Sequence, residues 1–174
     1  MQNKIIKSSI ILLIIFIIGV FFIGLNKNSI YDTKNLVGQK ITKIRLERFT
    51  GDRIITEEDL KKNNFTLINF WASWCAPCRL EHSFLMSLSE KYDLKILGIN
   101  FKDNKENSLK FLKELGNPYY DIGKDVDGKV SIKFGVYGVP ESILIDKNLK
   151  IIKKFIGPLD SNNLEEILEI MKIN

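Results

Sequence analysis

The chain has 174 residues, of which 45% are hydrophobic and 27% are charged. This length and composition fit one globular domain and exclude a largely disordered chain. The formal net charge is +5, and removing the three lysines of the first 27 residues, which include no acidic residue, leaves +2 for the rest. An excess this small, without a basic stripe among aromatic residues, does not indicate a nucleic-acid partner.

The first predicted element is an uncharged apolar run of eighteen residues from Ser8 to Leu25. Its length is close to that of a helix crossing the hydrocarbon core of a bilayer. A cleaved signal peptide would share the basic start at Lys4 and Lys7, but it would need a shorter apolar core and a small-residue cleavage site. Gly24 is the only small residue near the end of the run, which favours an uncleaved single-pass anchor. The lysines before the span predict that the remainder of the chain lies outside the cytoplasm.

The chain is expected to divide into three segments. Residues 1–27 form the membrane anchor, residues 28–37 form a linker, and residues 38–174 form the folded domain. The linker is predicted because its sequence is polar and has no hydrophobic period.

Within the domain, apolar residues at helical spacing alternate with short apolar runs that predict buried strands. In chain order the predicted elements are a short strand and turn over 41–52, a brief helix after Thr56, a strand over 65–70, a helix to about residue 91, a strand over 95–100, a helix over 105–115, a short helix over 129–134, a hairpin over 141–156 and a C-terminal helix capped by Asp160 or Ser161. This order predicts an α/β domain. Its central mixed sheet has a parallel half, an antiparallel hairpin and helices on both faces.

The only two cysteines, Cys75 and Cys78, lie in the segment WASWCAPC directly after the first buried strand. A structural disulfide here would stabilise little, because stabilisation grows with the size of the closed loop. A structural zinc site normally needs four ligands, and only His82 is available to join the two thiols. Attachment of haem is excluded because Arg79 stands where a histidine is required. Redox chemistry is the favoured interpretation, with the structural disulfide and the metal site as alternatives.

The position of the cysteines predicts how a redox pair would work. A helix that begins near Cys75 directs its free N–H groups at the sulfur and favours the thiolate. Pro77 suits the first turn of such a helix, where its missing N–H costs nothing. Cys78 lies one turn further in and is expected to be more buried. Cys75 would then attack a partner's disulfide, and Cys78 would resolve the mixed disulfide.

Two stretches of the sequence carry a family resemblance. The segment FTLINFWASWCAPCR resembles the active-site segment of thioredoxins, and together with FGVYGVPESILID it resembles the DsbE/CcmG family. The members of that family are membrane-anchored periplasmic thiol-disulfide reductases of cytochrome c maturation. The resemblance extends from about Leu36 to the C-terminus.

The resemblance implies a thioredoxin-like fold and a redox-active disulfide between Cys75 and Cys78, with no other cofactor. The implied substrate is the oxidised CXXCH motif of apocytochrome c, or a maturation partner, and the implied electron donor is a membrane thiol reductase. The implied location is the bacterial inner membrane, with the catalytic domain facing the periplasm.

The resemblance also implies a substrate-docking surface around the two cysteines. Pro140 is expected to be a cis-proline beside them, and the backbone of Val139 is expected to pair with an extended segment of the substrate. Four further residues are expected to contact the substrate: Trp74, Ala76, Pro77 and Tyr137. Trp71 is expected to pack in the core and His82 to be a structural histidine.

The resolving thiol needs a proton acceptor. Thioredoxins use a buried aspartate six residues before the first cysteine, and this position is Asn69 here, which cannot accept a proton. Glu81 and Glu141 match acidic positions of the family and are the two candidates. The alternative for Glu81 is a solvated charge paired with Arg79 or Lys91.

Two other functions remain possible from sequence. The chain could be a general periplasmic disulfide reductase or oxidase. It could also be a binding module or metallochaperone that has the fold without turnover.

Overall fold

The computed structural model describes residues 2–25 and 36–173, which belong to two units. In the first unit, helix α1 spans Gln2–Leu25. Its segment Lys4–Ile23 has a mean hydropathy of 2.8 and is long and apolar enough to cross a membrane. Most of the predicted linker lies outside the described residues.

The second unit alternates strands and helices. Its elements are β1 (Arg45–Glu47), β2 (Ile54–Thr56), α2 (Glu57–Leu60), β3 (Phe65–Trp71), α3 (Ala76–Tyr92), β4 (Lys95–Phe101), α4 (Lys105–Leu115), β5 (Asp121–Asp125), α5 (Lys129–Lys133), β6 (Glu141–Asp146), β7 (Ile151–Ile156) and α6 (Ser161–Ile173). Polar residues stand at the starts of two helices, as predicted. Thr56 precedes α2, and Asp160 Oδ1 accepts the N–H of Asn163 at the start of α6 (2.9 Å).

Five strands form one sheet in the order β5-β4-β3-β6-β7. Strands β3, β4 and β5 run parallel, and β6 and β7 add the antiparallel half. The predicted mixed sheet is therefore confirmed. Strand β3 is central, and six of its seven residues are buried, as expected for a strand covered on both faces.

Two strands were not predicted from the sequence. Strand β5 pairs in parallel with β4 at the edge of the sheet, and β2 pairs with β1 in a separate two-stranded ribbon. Strand β5 could not be predicted from hydrophobic pattern because Ile122 is the only large apolar residue among its five. Its Gly123 lets the ribbon approach closely, since a Cβ there would lie 3.0 Å from Leu46 Cβ.

Hydrophobic residues pack on both faces of the sheet. One cluster joins the sheet to α3, α4 and α6, and the other joins it to the β1–β2 ribbon, α2 and the segment after α5. Alternation along β3 assigns Leu67 and Trp71 to the first cluster, and Ile68 and Phe70 to the second. Asn69 shares the face of Leu67 and Trp71, which is the face that α3 covers.

Candidate active site

The two cysteines lie where the central strand passes into a helix. Strand β3 ends at Trp71, and Cys75 is the N-cap residue of α3, with its Sγ accepting the N–H of Cys78 at 3.1 Å. A disulfide joins Cys75 to Cys78, whose Cα atoms are 5.3 Å apart. Ala76 and Pro77 are exposed on the first turn of the helix. Sulfur at a helix N-cap is placed to be stabilised as a thiolate when the disulfide is reduced.

The two cysteines are buried to nearly the same extent. Cys75 is 3% exposed and Cys78 is 2% exposed. The expected difference in burial between the two cysteines is therefore very small in this disulfide-bonded form.

The peptide bond between Val139 and Pro140 is cis. It comes just before β6, where Glu141 lies opposite Phe70 of β3 in the antiparallel register. The start of β6 and the end of β3 therefore share one edge of the sheet, from which the chain continues to the cysteines. Pro140 is buried, and Val139 packs against the cluster that contains both cysteines.

The surface beside the disulfide offers backbone and aromatic groups. Within the part of the chain that the structure describes, the backbone of Val139 makes no hydrogen bond. Trp74 is 59% exposed and Tyr137 is 70% exposed. The indole N–H of Trp74 donates to the carbonyl of Lys102 at 3.2 Å, which orients the ring at the rim of the site. These features suit the pairing of an extended peptide.

Glu81 is buried on the same face of α3 as Cys78, three residues away, and is only 1% exposed. The alternative of a solvated charge is therefore wrong, and Arg79 pairs with Glu114 instead. Burial raises the pKa of Glu81 to about 7, although hydrogen bonds from the N–H of Leu159 and from Asn69 oppose this shift. A carboxyl group with this pKa can accept a proton near neutral pH.

Asn69 holds one oxygen of Glu81. Its Nδ2 donates to Glu81 Oε1 at 2.9 Å and to Ser142 Oγ at 3.0 Å. The hydroxyl of Tyr119 donates to Asn69 Oδ1 at 2.9 Å, which fixes the orientation of the amide. All three side chains of this contact are at most 1% exposed: Asn69, Ser142 and Glu81. The residue that replaces the thioredoxin aspartate therefore positions the carboxylate.

Glu141, the other acidic candidate, is also buried but has different partners. Its Oε1 accepts the N–H groups of Tyr137 at 3.0 Å and Gly138 at 3.3 Å. The Nζ of Lys154 lies 2.8 Å from its Oε2. Glu141 therefore faces a fixed cation, whereas no basic side chain of the described segments pairs with Glu81.

Comparisons with known proteins bear on this geometry. The Redoxin family model matches residues 36–168. The chain is 40% identical to the thiol:disulfide interchange protein HelX of Rhodobacter capsulatus, over 71% of this chain and 70% of HelX. It is 37% identical to the thiol:disulfide interchange protein DsbE of Vibrio cholerae, over 86% of this chain and 84% of that protein. The chain belongs to the DsbE family of thiol:disulfide interchange proteins.

A solved structure agrees with this assignment. A protein of Chlorobium tepidum assigned to DsbE superposes with a TM-score of 0.67 and 26% identity, over 78% of this chain and 96% of that one. The expected thioredoxin-like fold is therefore confirmed. As a member of the DsbE family, this chain is a thiol-disulfide oxidoreductase with a CXXC active site, and its N-terminal helix is suited to serve as an anchor or a signal.

Asp103, which was not predicted from the sequence, ties the active-site loop of this DsbE-family chain to the loop after β4. Asp103 accepts hydrogen bonds from both the N–H and the hydroxyl of Ser73, two residues before Cys75. Burial alone would raise the pKa of Asp103, but hydrogen bonds from Ser73, Ser108 and Asn100 lower it below its usual value. The sequence feature that could have predicted this role is the position of Asp103, two residues after the end of the buried parallel strand β4.

Two residues near the site are structural. The Nε2 of His82 lies 3.1 Å from the carbonyl oxygen of Gly116, and its ring meets Phe111 edge-on. Burial lowers the pKa of His82, which favours the neutral ring. Trp71 is 1% exposed and stacks on Tyr119 with the ring centroids 5.3 Å apart.

Proposed function

We propose that this chain is a membrane-anchored reductant for cytochrome c maturation. Its substrate is the disulfide of the CXXCH motif in apocytochrome c, or a disulfide of a maturation protein. Residues 1–27 anchor it in the bacterial inner membrane, residues 28–37 link the anchor to the domain, and residues 38–174 face the periplasm. A membrane thiol reductase regenerates the dithiol.

The first step is attack by the Cys75 thiolate on the substrate disulfide. A bond forms between Cys75 Sγ and one substrate sulfur, the substrate disulfide breaks, and the other substrate sulfur leaves as a thiolate. The position of Cys75 as the N-cap of α3 supports this role, because the helix N-terminus stabilises the thiolate.

The second step is attack by Cys78 on Cys75 Sγ. Cys78 first loses its proton. A bond then forms between Cys78 Sγ and Cys75 Sγ, the mixed disulfide breaks, and the substrate sulfur that was bound to Cys75 leaves as a thiolate that is then protonated. The enzyme ends as the disulfide, and two electrons have passed to the substrate.

Glu81 is the proposed acceptor of the Cys78 proton. Its burial beside Cys78 on one helix face and its pKa of about 7 support this role. Glu141 was the second candidate, and its contact with Lys154 favours a structural role for it instead.

The substrate segment is proposed to lie along Val139 and cis-Pro140. This placement is supported by the exposed rings of Trp74 and Tyr137 and by the backbone of Val139, which makes no hydrogen bond within the described residues. Ala76 and Pro77, exposed beside the disulfide, would face the same segment. The observation that carries the proposal as a whole is the Cys75–Cys78 disulfide at the N-terminus of α3, three residues from a buried carboxyl group and at the sheet edge where cis-Pro140 precedes β6.

The proposal is tested by trapping the partner in cells. A Cys78→Ser chain cannot resolve the mixed disulfide, so a maturation protein or apocytochrome c should remain linked to Cys75 and be identified by mass spectrometry after non-reducing separation. A Cys75→Ser chain is the control and should trap nothing. Equal trapping by both variants, or trapping only of unrelated proteins by Cys78→Ser, would contradict the proposal.

A further inference from the structure

Lys154 is a buried charged group that the proposed reaction does not use. It lies on β7, and its side chain is only 1% exposed. Burying an ammonium group is costly unless the charge is paired and its hydrogen bonds are made. Its Nζ donates to the carbonyl of Gly135 at 2.6 Å and lies 2.8 Å from Glu141 Oε2.

Glu141 extends this contact to two further backbone groups. Its Oε1 accepts the N–H groups of Tyr137 and Gly138. The ion pair therefore holds three backbone groups within residues 135–138, which we call the docking turn. The docking turn leads directly to Val139 and cis-Pro140.

The first two residues of the docking turn are also held by other contacts, because the N–H groups of Gly135 and Val136 donate to the carbonyls of Ile132 and Ser131, and Val136 is buried. Gly135 adopts a φ of 62°, in the left-handed region, and both Tyr137 and Gly138 are exposed. A Cβ added at Gly138 would meet no atom within 4 Å. Lys154 and Glu141 are diagonal neighbours on adjacent strands, because the register pairs Lys154 with Ile143. The paired sheet thus gives the ion pair a rigid base beneath the exposed end of the docking turn.

We propose that Lys154 and Glu141 are positioning residues for substrate binding, which hold the docking turn in the shape that accepts an extended substrate segment. Neither residue exchanges a proton or an electron with the substrate. This inference rests on the proposed function, because it concerns the affinity of the same site for its disulfide substrate. It gives Glu141 a role distinct from that of Glu81.

The test is single-turnover reduction of a synthetic peptide that contains an oxidised Cys-X-X-Cys-His motif. The reduced protein is mixed with increasing peptide, and the limiting rate and the half-saturating peptide concentration are measured separately. In Lys154→Met the half-saturating concentration should rise at least about tenfold, and the limiting rate should stay within about threefold of that of the unmodified chain.

Two further variants complete the test. Lys154→Met leaves a buried carboxylate without its cation, so a chain that also carries Glu141→Gln removes both charges and serves if the single variant does not fold. Its half-saturating concentration should also rise. The matched control is Lys153→Met, which removes a neighbouring lysine that is 40% exposed and pairs with Glu166. Both kinetic values should be unchanged in this control.

The outcomes distinguish a failure of the positioning role from a failure of the proposed function. A lower limiting rate at unchanged half-saturation, or no change in any folded variant, would overturn the positioning role alone. An unmodified chain that does not reduce the peptide at all would overturn the proposed function, and this inference with it.

Discussion

Asn69 donates a hydrogen bond of 2.9 Å from its amide to the Oε1 of Glu81. The amide lies on the central strand and the carboxyl group on the helix that begins at the redox pair, so the bond joins the two elements that form the site. The other carboxyl oxygen of Glu81 accepts the N–H of Leu159 at 2.9 Å. The proposed proton acceptor is therefore held at both oxygens by groups that donate hydrogen bonds.

The first prediction concerns Glu81→Gln. This change removes the proposed proton acceptor and should slow resolution of the mixed disulfide at pH 7 by about 10²-fold. In the unmodified chain the rate of resolution should rise with pH through an ionisation near 7, where Glu81 titrates. The variant should lack that ionisation. Quenched-flow measurement of the mixed disulfide between pH 5 and pH 9 gives both results.

Glu90→Gln is the matched control, because Glu90 is exposed on the same helix. It should have the rate and pH profile of the unmodified chain. An unchanged profile in Glu81→Gln would show that Cys78 loses its proton to another group.

The second prediction concerns stability and pH. Burial raises the pKa of Glu81 from 4.5 to about 7, so the folded chain keeps this proton at pH values where the unfolded chain has lost it. The contribution of Glu81 to stability should therefore fall as pH rises from about 4.5 to about 7, by about 3 kcal/mol in all. Urea unfolding of the oxidised protein at pH 4 and pH 8 measures the change. Glu81→Gln should lack this component, and an equal pH dependence in both proteins would contradict the prediction.

The third prediction concerns Tyr119→Phe, which keeps the ring that stacks on Trp71 and removes the hydroxyl. Asn69 Oδ1 then loses its buried donor, which should cost about 1–3 kcal/mol of unfolding free energy. Tyr92→Phe is the control, because Tyr92 is 43% exposed, and it should cost about 0.5 kcal/mol or less. Similar losses in the two variants would show that the buried hydroxyl makes no special contribution.

The fourth prediction concerns Asp103→Ala. The change leaves the N–H and hydroxyl of Ser73 without their acceptor and should lower the unfolding free energy by about 2 kcal/mol. The active-site loop should loosen as well, so amide hydrogen exchange at residues 73–75 should become faster. Asp52→Ala removes an exposed carboxylate far from the active-site loop in sequence, and it is the control, which should change neither quantity. Unchanged exchange in Asp103→Ala would contradict the role of Asp103 in fixing the loop.

The sequence predicted the parts of the fold that depend on local pattern. Strand β3, helix α4 and the hairpin of β6 and β7 followed from runs of apolar residues and from their spacing. Strand β5 did not, because its pairing with β4 supplies the order that its own five residues do not encode. Edge strands with one large apolar residue carry too weak a pattern to predict.

The site also has residues that could be predicted from the sequence and contacts that could not. The cysteines were predicted because their chemistry is visible in the sequence itself, and cis-Pro140 was predicted from the resemblance to the DsbE/CcmG family. The burial of Glu81 depends on Leu159, which is 78 residues away in the chain, and on the strand that carries Asn69. The contact between Asp103 and Ser73 likewise joins two loops 30 residues apart. Such contacts arise only when the sheet brings its loops together at one edge.

The most direct test of the thiol chemistry is the reaction of each reduced single-cysteine variant with a peptide that contains an oxidised Cys-X-X-Cys-His motif. Intact mass spectrometry should find a one-to-one mixed disulfide with Cys78→Ser, formed through Cys75, and no adduct with Cys75→Ser. The unmodified chain should release the peptide as a dithiol and end as the Cys75–Cys78 disulfide. An adduct through Cys78, or a peptide that stays oxidised in the presence of the reduced chain, would contradict the proposed reaction.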